Sequence, residues 1–140
     1  MNNRLIFNII FIIFIFIPNI NSAEEILIYA DDISYDEDEN IVAKGNAKIF
    51  KSNQLIISDI IIYNKKDKKI ILPASFTLKD QNNNYLSGSS GIFDQNLNYG
   101  EFNDIKIKLS DGSRLIGNKG KRENHIDIIS KGVYTPCRSK

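Results

Sequence analysis

The chain of 140 residues has no tryptophan, one methionine, one histidine, one cysteine and three prolines. Most of these shortages remove a class of function. With Cys137 the lone cysteine, no disulfide can close within the chain. The lone histidine, His125, falls in the polar stretch RENHID at residues 122–127, where a solvated imidazole is the ordinary outcome rather than a base or ligand. The stretch from Ser87 to Gly91 carries no P-loop lysine, and no partner for a serine nucleophile is in view. The acidic run Asp36 to Glu39 lacks the turn glycine and the spaced terminal glutamate of a calcium loop. An enzyme is therefore not expected, and neither is a cofactor or a metal ion.

Charge of one sign is lacking too. Lysine and arginine number 18 against 17 aspartates and glutamates, for a net charge of +1. A domain so nearly neutral has no field with which to collect phosphates, which argues against nucleic acid as a partner. The local basic run NKKDKK, Asn64 to Lys69, reads as a solvated turn.

What is present begins with a targeting segment. Arg4 supplies a positive start, Leu5 to Ile17 an apolar run broken only by Asn8, Pro18 a break, and Ser22-Ala23 a small-residue end before Glu24. Residues 1–23 are expected to be a cleaved export signal. An uncleaved anchor is the alternative, because Asn21 fits the cleavage pattern poorly, but the apolar run falls short of the about 20 residues that span a bilayer, which favours the cleaved signal. Either way the remainder is delivered across a membrane. It is 42% apolar and 25% charged over the whole sequence, the composition of one small folded domain.

Beyond Ala23 no helical period is sustained. IVAKGNAKIF alternates, with Ile41, Ala43, Gly45, Ala47 and Ile49 on one face and Lys44, Asn46 and Lys48 on the other. IILPASFTLK repeats the pattern with Ile70, Leu72, Ala74, Phe76 and Leu78 inward, and DIKIKLSDG does so with Ile105, Ile107 and Leu109. A second kind of strand recurs between these, ending in Tyr35, Tyr63 and Phe93, each followed by an Asp or Asn that opens a turn. The aromatics are spaced by 28 and 30 residues, and self-similarity at this period means stacked strand pairs, because one pair alone cannot bury its apolar face. About eight short strands are expected. The inward positions, taken to include Ser87, Ser89 and Gly91 with the alanines, are small. They suit either a tightly filled sandwich or a slot open enough for an alkyl chain.

The segments ADDISYDEDENIVAKGNAKI, SDIIIYNKKDKKIILPAS and SGSSGIFDQNLNYGEFNDIKIKLSDGSRLIGNKGKR resemble three copies of the repeat of OstA-like periplasmic domains, the family that carries lipopolysaccharide across the bacterial envelope. Tyr134-Thr135-Pro136-Cys137 resembles the segment that follows this repeat in LptD; LptA and LptC share the fold without it. The resemblance covers residues 25–137. It implies an all-β jellyroll, two V-shaped sheets of stacked antiparallel repeats around an apolar groove, preceded by a signal helix, in the periplasm or at the outer membrane. It implies a domain at 24–131 and a tail at 132–140. As groove lining it implies Ile41, Ala43, Ala47 and Ile49, then Ile57, Ile70, Leu72, Ala74, Phe76 and Leu78, and finally Ile105, Ile107 and Leu109.

Implied partners are lipopolysaccharide, other Lpt-type domains joined by edge-strand pairing at Leu27 to Tyr35 and Ile126 to Ile129, and an outer-membrane barrel. Two departures stand out. The sequence ends at Lys140 without a barrel, and Lys140 occupies the place where the family often has a second cysteine. On this resemblance Cys137 is half of a disulfide whose partner lies outside this chain, and the chain is a truncated LptD or a standalone domain. A standalone shuttle like LptA or LptC, and a purely structural β-repeat protein without lipid, remain as alternatives.

Overall fold

The alternating segments form twelve strands in the computed structural model, which describes residues 25–137. The expected signal segment lies outside the described residues. The first six strands are β1 (Leu27–Tyr29), β2 (Asp32–Tyr35), β3 (Ile41–Lys51), β4 (Gln54–Asn64), β5 (Lys69–Leu72) and β6 (Phe76–Lys79). The second six are β7 (Tyr85–Gly88), β8 (Ser90–Asp94), β9 (Tyr99–Lys108), β10 (Arg114–Glu123), β11 (Ile126–Ser130) and β12 (Val133–Thr135). All pairings are antiparallel.

Twelve strands appear where eight were expected because the chain breaks or bends at one common line. β3, β4, β9 and β10 cross that line, and each has different neighbours on its two halves. One half of each joins β2, β5, β8 and β11 in a first layer. The other half joins β1, β6, β7 and β12 in a second layer. The result is the β-jellyroll: two layers hinged along the bend, enclosing one apolar interior.

Small and polar residues make the bend. In β3, Gly45 (φ 77°) and Asn46 (φ 47°) take left-handed conformations opposite Asp59 of β4, and the register shifts between Lys44 and Ala47. Asn46 Nδ2 donates to Asp31 Oδ2 at 2.8 Å, across the break between β1 and β2. A Cβ on Gly45 would lie 2.7 Å from that carboxylate, so only glycine fits. Further along the line, the Ser58 hydroxyl donates to the Ser75 carbonyl at 2.9 Å. Ser89, between β7 and β8, donates to Asp104 Oδ2 at 2.8 Å. Pro73 falls in the gap between β5 and β6, where no ladder hydrogen bond is required of it.

The outer tips of the repeats close by a shared device. Asp36 Oδ1 accepts from the backbone N–H groups of Asp38 and Asn40, and Oδ2 from the Asn40 amide. Asp80 does the same with Asn82 and Asn84. Asp94 accepts from the N–H groups of Asn96, Asn98 and Tyr99. The residue before the closing asparagine is left-handed each time: Glu39, Asn83 and Leu97. Bonds from Asn40 hold the Asp36 carboxyl below its usual pKa.

Between the layers the core is filled. From the second layer, Ile49, Ile56, Leu78, Leu86 and Ile107 lie in one cross-strand row, all buried. From the first come Ile61, Ile70, Leu72, Phe93 and Phe102, also buried. Each such side chain contributes about 1.5–3 kcal/mol. The small residues do not leave a slot here; they seat phenylalanine rings. Phe93 lies over its cross-strand partner Gly100, Phe102 over Gly120, and Phe76 over Gly88 and Gly91. The rings also touch each other, Phe76–Phe93 edge-on at 5.7 Å and Phe93–Phe102 stacked at 5.5 Å.

Three expectations of facing are corrected. Ile57 is 41% exposed and points outward, while Ile56 is fully buried. Ile57 has the parity of Ile61 and Tyr63, but the bend at Asp59 reverses that parity within β4. Ser87 likewise faces outward, its hydroxyl 3.0 Å from that of Thr77, and Ser89 is an exposed bend residue. The expected tail also contributes structure: β12 pairs Val133 to Thr135 with Arg114 to Ile116.

A Cβ at Gly120 would lie 2.4 Å from Phe102 and 2.5 Å from Ile105. Gly120→Ala is therefore expected to cost about 1–3 kcal/mol in urea unfolding, and Phe102→Leu in the same chain to recover part of it. Undiminished stability in Gly120→Ala would show that the ring is not seated there.

Candidate functional site

The expected groove residues divide into four groups. Ala43, Ala47, Ile49, Ile70, Leu72, Phe76 and Ile105 lie in the closed core at 3% exposure or less. Ile41 and Ala74 are half-buried, at the outer end of β3 and on the bend line respectively. Only Leu78, Ile107 and Leu109 border an open cavity between the layers, and Ile57 is outside altogether.

That cavity measures about 460 Å³, within the roughly 300–1,000 Å³ of small-molecule sites. Its aliphatic wall is Leu78, Leu86, Ile107, Leu109, Leu115 and Ile129. β6, β7, β9, β10 and β11 bring these together, five strands that are distant in sequence but adjacent across the jellyroll. The opposite end is polar. Asp80, Asn82 and Asn84 of the turn between β6 and β7 face Arg122, His125 and Asp127 of the hairpin joining β10 to β11. His125 is an exposed turn residue with φ 65°, as its polar surroundings in the sequence suggest. An alkyl chain suits the first end, and hydrogen-bonding groups suit the second.

Sequence reasoning missed the buried polar residues at this mouth. Arg122 is 4% exposed and Gln54 6%. The Arg122 guanidinium makes a fork with its cross-strand partner Asp127, Nε to Oδ1 at 2.7 Å and Nη2 to Oδ2 at 2.8 Å. Its Nη1 donates to Gln54 Oε1 at 3.4 Å, bridging the first layer to the second. The signal was hidden by the bend. Leu115 and Gly117 face inward before Asn118, and Gly120 and Arg122 after it, so the parity of β10 reverses midway.

Cys137 is exposed and unpaired among the described residues, with its Sγ against Gly112 in the turn between β9 and β10. Among the described residues both edges of the jellyroll are open. β1 and β2 bound one side, with Tyr29 and Tyr35 exposed, and β11 and β12 bound the other, with Ile126 and Tyr134 exposed. Among the described residues no three of His, Cys, Asp and Glu gather where a metal ion would sit.

This architecture, a two-layer β-jellyroll, has a solved counterpart. No family model matches the chain, and no curated protein matches it in sequence. Among solved structures it is similar to LptH from Pseudomonas aeruginosa, the LptA-homologous periplasmic component of the conserved lipopolysaccharide transport device. The TM-score is 0.63 at 12% identity, over 76% of this chain and 82% of that one. The likeness is one of fold.

The filled core and the open cavity respond differently to charge. Ala47→Glu places a carboxylate at a fully buried position and is expected to lose at least about 3 kcal/mol. Leu115→Glu, at the half-buried cavity wall, is expected to lose about 1 kcal/mol or less in the same denaturation assay. Equal losses would mean that the cavity is as closed as the core.

Proposed function

We propose that the chain is a periplasmic lipopolysaccharide-binding domain of an Lpt-type transport device, holding acyl chains between its two layers. The observation that carries this reading is the aliphatic cavity open at the layer mouth, in a fold similar to that of LptH. Burying a methylene yields about 0.8 kcal/mol, so even a short stretch of acyl chain in this cavity repays extraction from water. Longer chains enter as the layers part at the mouth, where Arg122 and Gln54 meet at only 3.4 Å.

The open edges at β1–β2 and β11–β12 suit end-to-end joining with other jellyroll domains by strand addition, which keeps neighbouring interiors in line. The finer reading is an LptD periplasmic domain, with a barrel as partner and Cys137 paired outside this chain. Its support is the Tyr134-Thr135-Pro136-Cys137 segment, which leaves β12 with the thiol exposed. Export by the segment at 1–23 and a place at the outer membrane belong to the same proposal.

The test is photo-crosslinking of lipopolysaccharide from probes at Leu86, Ile107 and Leu115, with Ile57 as the outward control. Crosslinks at the three cavity positions and none at Ile57 are expected. A folded protein that crosslinks nowhere, or equally at Ile57, would instead favour a structural β-repeat protein without lipid cargo.

A further inference from the structure

Arg122 is the buried cation at the polar end of the cavity, and its donors are incompletely used. A guanidinium has five N–H groups. Asp127 takes two of Arg122's, and Gln54 takes one at the limit of hydrogen-bond distance. The remaining two have no protein acceptor among the described residues, in a side chain that is 95% buried. The Phe93 ring, 5.9 Å from the guanidinium carbon, helps to hold the cation in place. Of the other charged groups lining the cavity, Asp127 is already committed to Arg122, and Asp80 accepts three hydrogen bonds from its own turn. The unused N–H edge thus sits at one end of a chamber whose other end is wholly aliphatic.

We propose that this edge of Arg122 receives the phosphate head group of an amphiphile whose alkyl chain lies along Leu78, Leu86, Ile107 and Leu115. The head group displaces the long contact to Gln54 while Asp127 keeps the guanidinium oriented. A tetrahedral phosphate offers several acceptor oxygens to neighbouring N–H groups, which a hydroxyl or amide head does not. The proposal rests on the placement of alkyl chains in the cavity and adds to it the chemistry of the head group and the residue that reads it.

The experiment titrates the full chain by calorimetry with octyl phosphate, 1-octanol and inorganic phosphate. Octyl phosphate is expected to bind at least about tenfold more tightly than octanol, and inorganic phosphate not measurably. Gln54→Glu sets a carboxylate against Nη1 with Arg122 and Asp127 intact, so the protein stays folded. It is expected to erase the preference for octyl phosphate while leaving octanol binding unchanged. Arg122→Met is expected to erase it as well. Equal affinity of octyl phosphate and octanol for the unaltered chain, or a preference that survives in Gln54→Glu, overturns the head-group assignment alone. Inorganic phosphate binding as tightly as octyl phosphate also overturns it, by showing an anion site without the chamber. Binding of neither alkyl compound overturns the cavity reading, and the head-group assignment with it.

Discussion

The rest of the structure depends on one constraint: each strand that crosses the molecule bends at the same line. A flat twelve-stranded antiparallel sheet of these sequences would expose one whole aliphatic face. Bending β3, β4, β9 and β10 at their middles folds that face onto itself, so that one set of strands supplies both walls of the interior. The bend is written in residues that pack poorly in a strand, Gly45 and Asn46 opposite Asp59, Ser89 bonded to Asp104, and Asn46 bonded to Asp31. The backbone groups that the ladder abandons there are met by other bonds: the Asp31 N–H donates to the Gly45 carbonyl, the Ser89 N–H to the Asn103 carbonyl and the Ser58 hydroxyl to the Ser75 carbonyl.

The interior so formed is uneven, and the unevenness is informative. Where glycines line the first layer, phenylalanines cover them and the two layers are in full contact. Beyond Phe76, towards the far ends of β6 and β7 and against β11, no phenylalanine ring fills the interior, and Tyr85 stands at the rim. The wall there is leucine and isoleucine, and a cavity of about 460 Å³ remains. Small inward residues thus have a role opposite to the one expected of them. They mark where the interior is closed, and the large aliphatic residues at Leu86, Leu109 and Leu115 mark where it is open.

Much of this was legible from the residues. The alternation in IVAKGNAKIF and DIKIKLSDG identifies β3 and β9, and the Asp or Asn after each recurring aromatic identifies turns that the hydrogen bonds of Asp36, Asn64 and Asp94 bear out. The repeat indicates stacked strand pairs, and the jellyroll is what the resemblance to OstA-like domains implies. Facing beyond a bend was not legible, because a period-two pattern has no memory across a residue that leaves the strand conformation. Ile57 faces outward and Arg122 inward for that reason, against the pattern of the residues on either side of each bend. The inward row Gly100, Arg122, Asp127 only becomes a row once the strands are in register.

The central claim is that lipid lies between the layers and parts them. The direct measurement is the distance across the mouth between spin labels at Asn53 and Asn124, exposed turn residues of the second and first layers, in a chain with Cys137→Ser. The distance is expected to lengthen when lipopolysaccharide is added. An unchanged distance with lipopolysaccharide demonstrably bound would place the acyl chains on the outer surface and contradict the account.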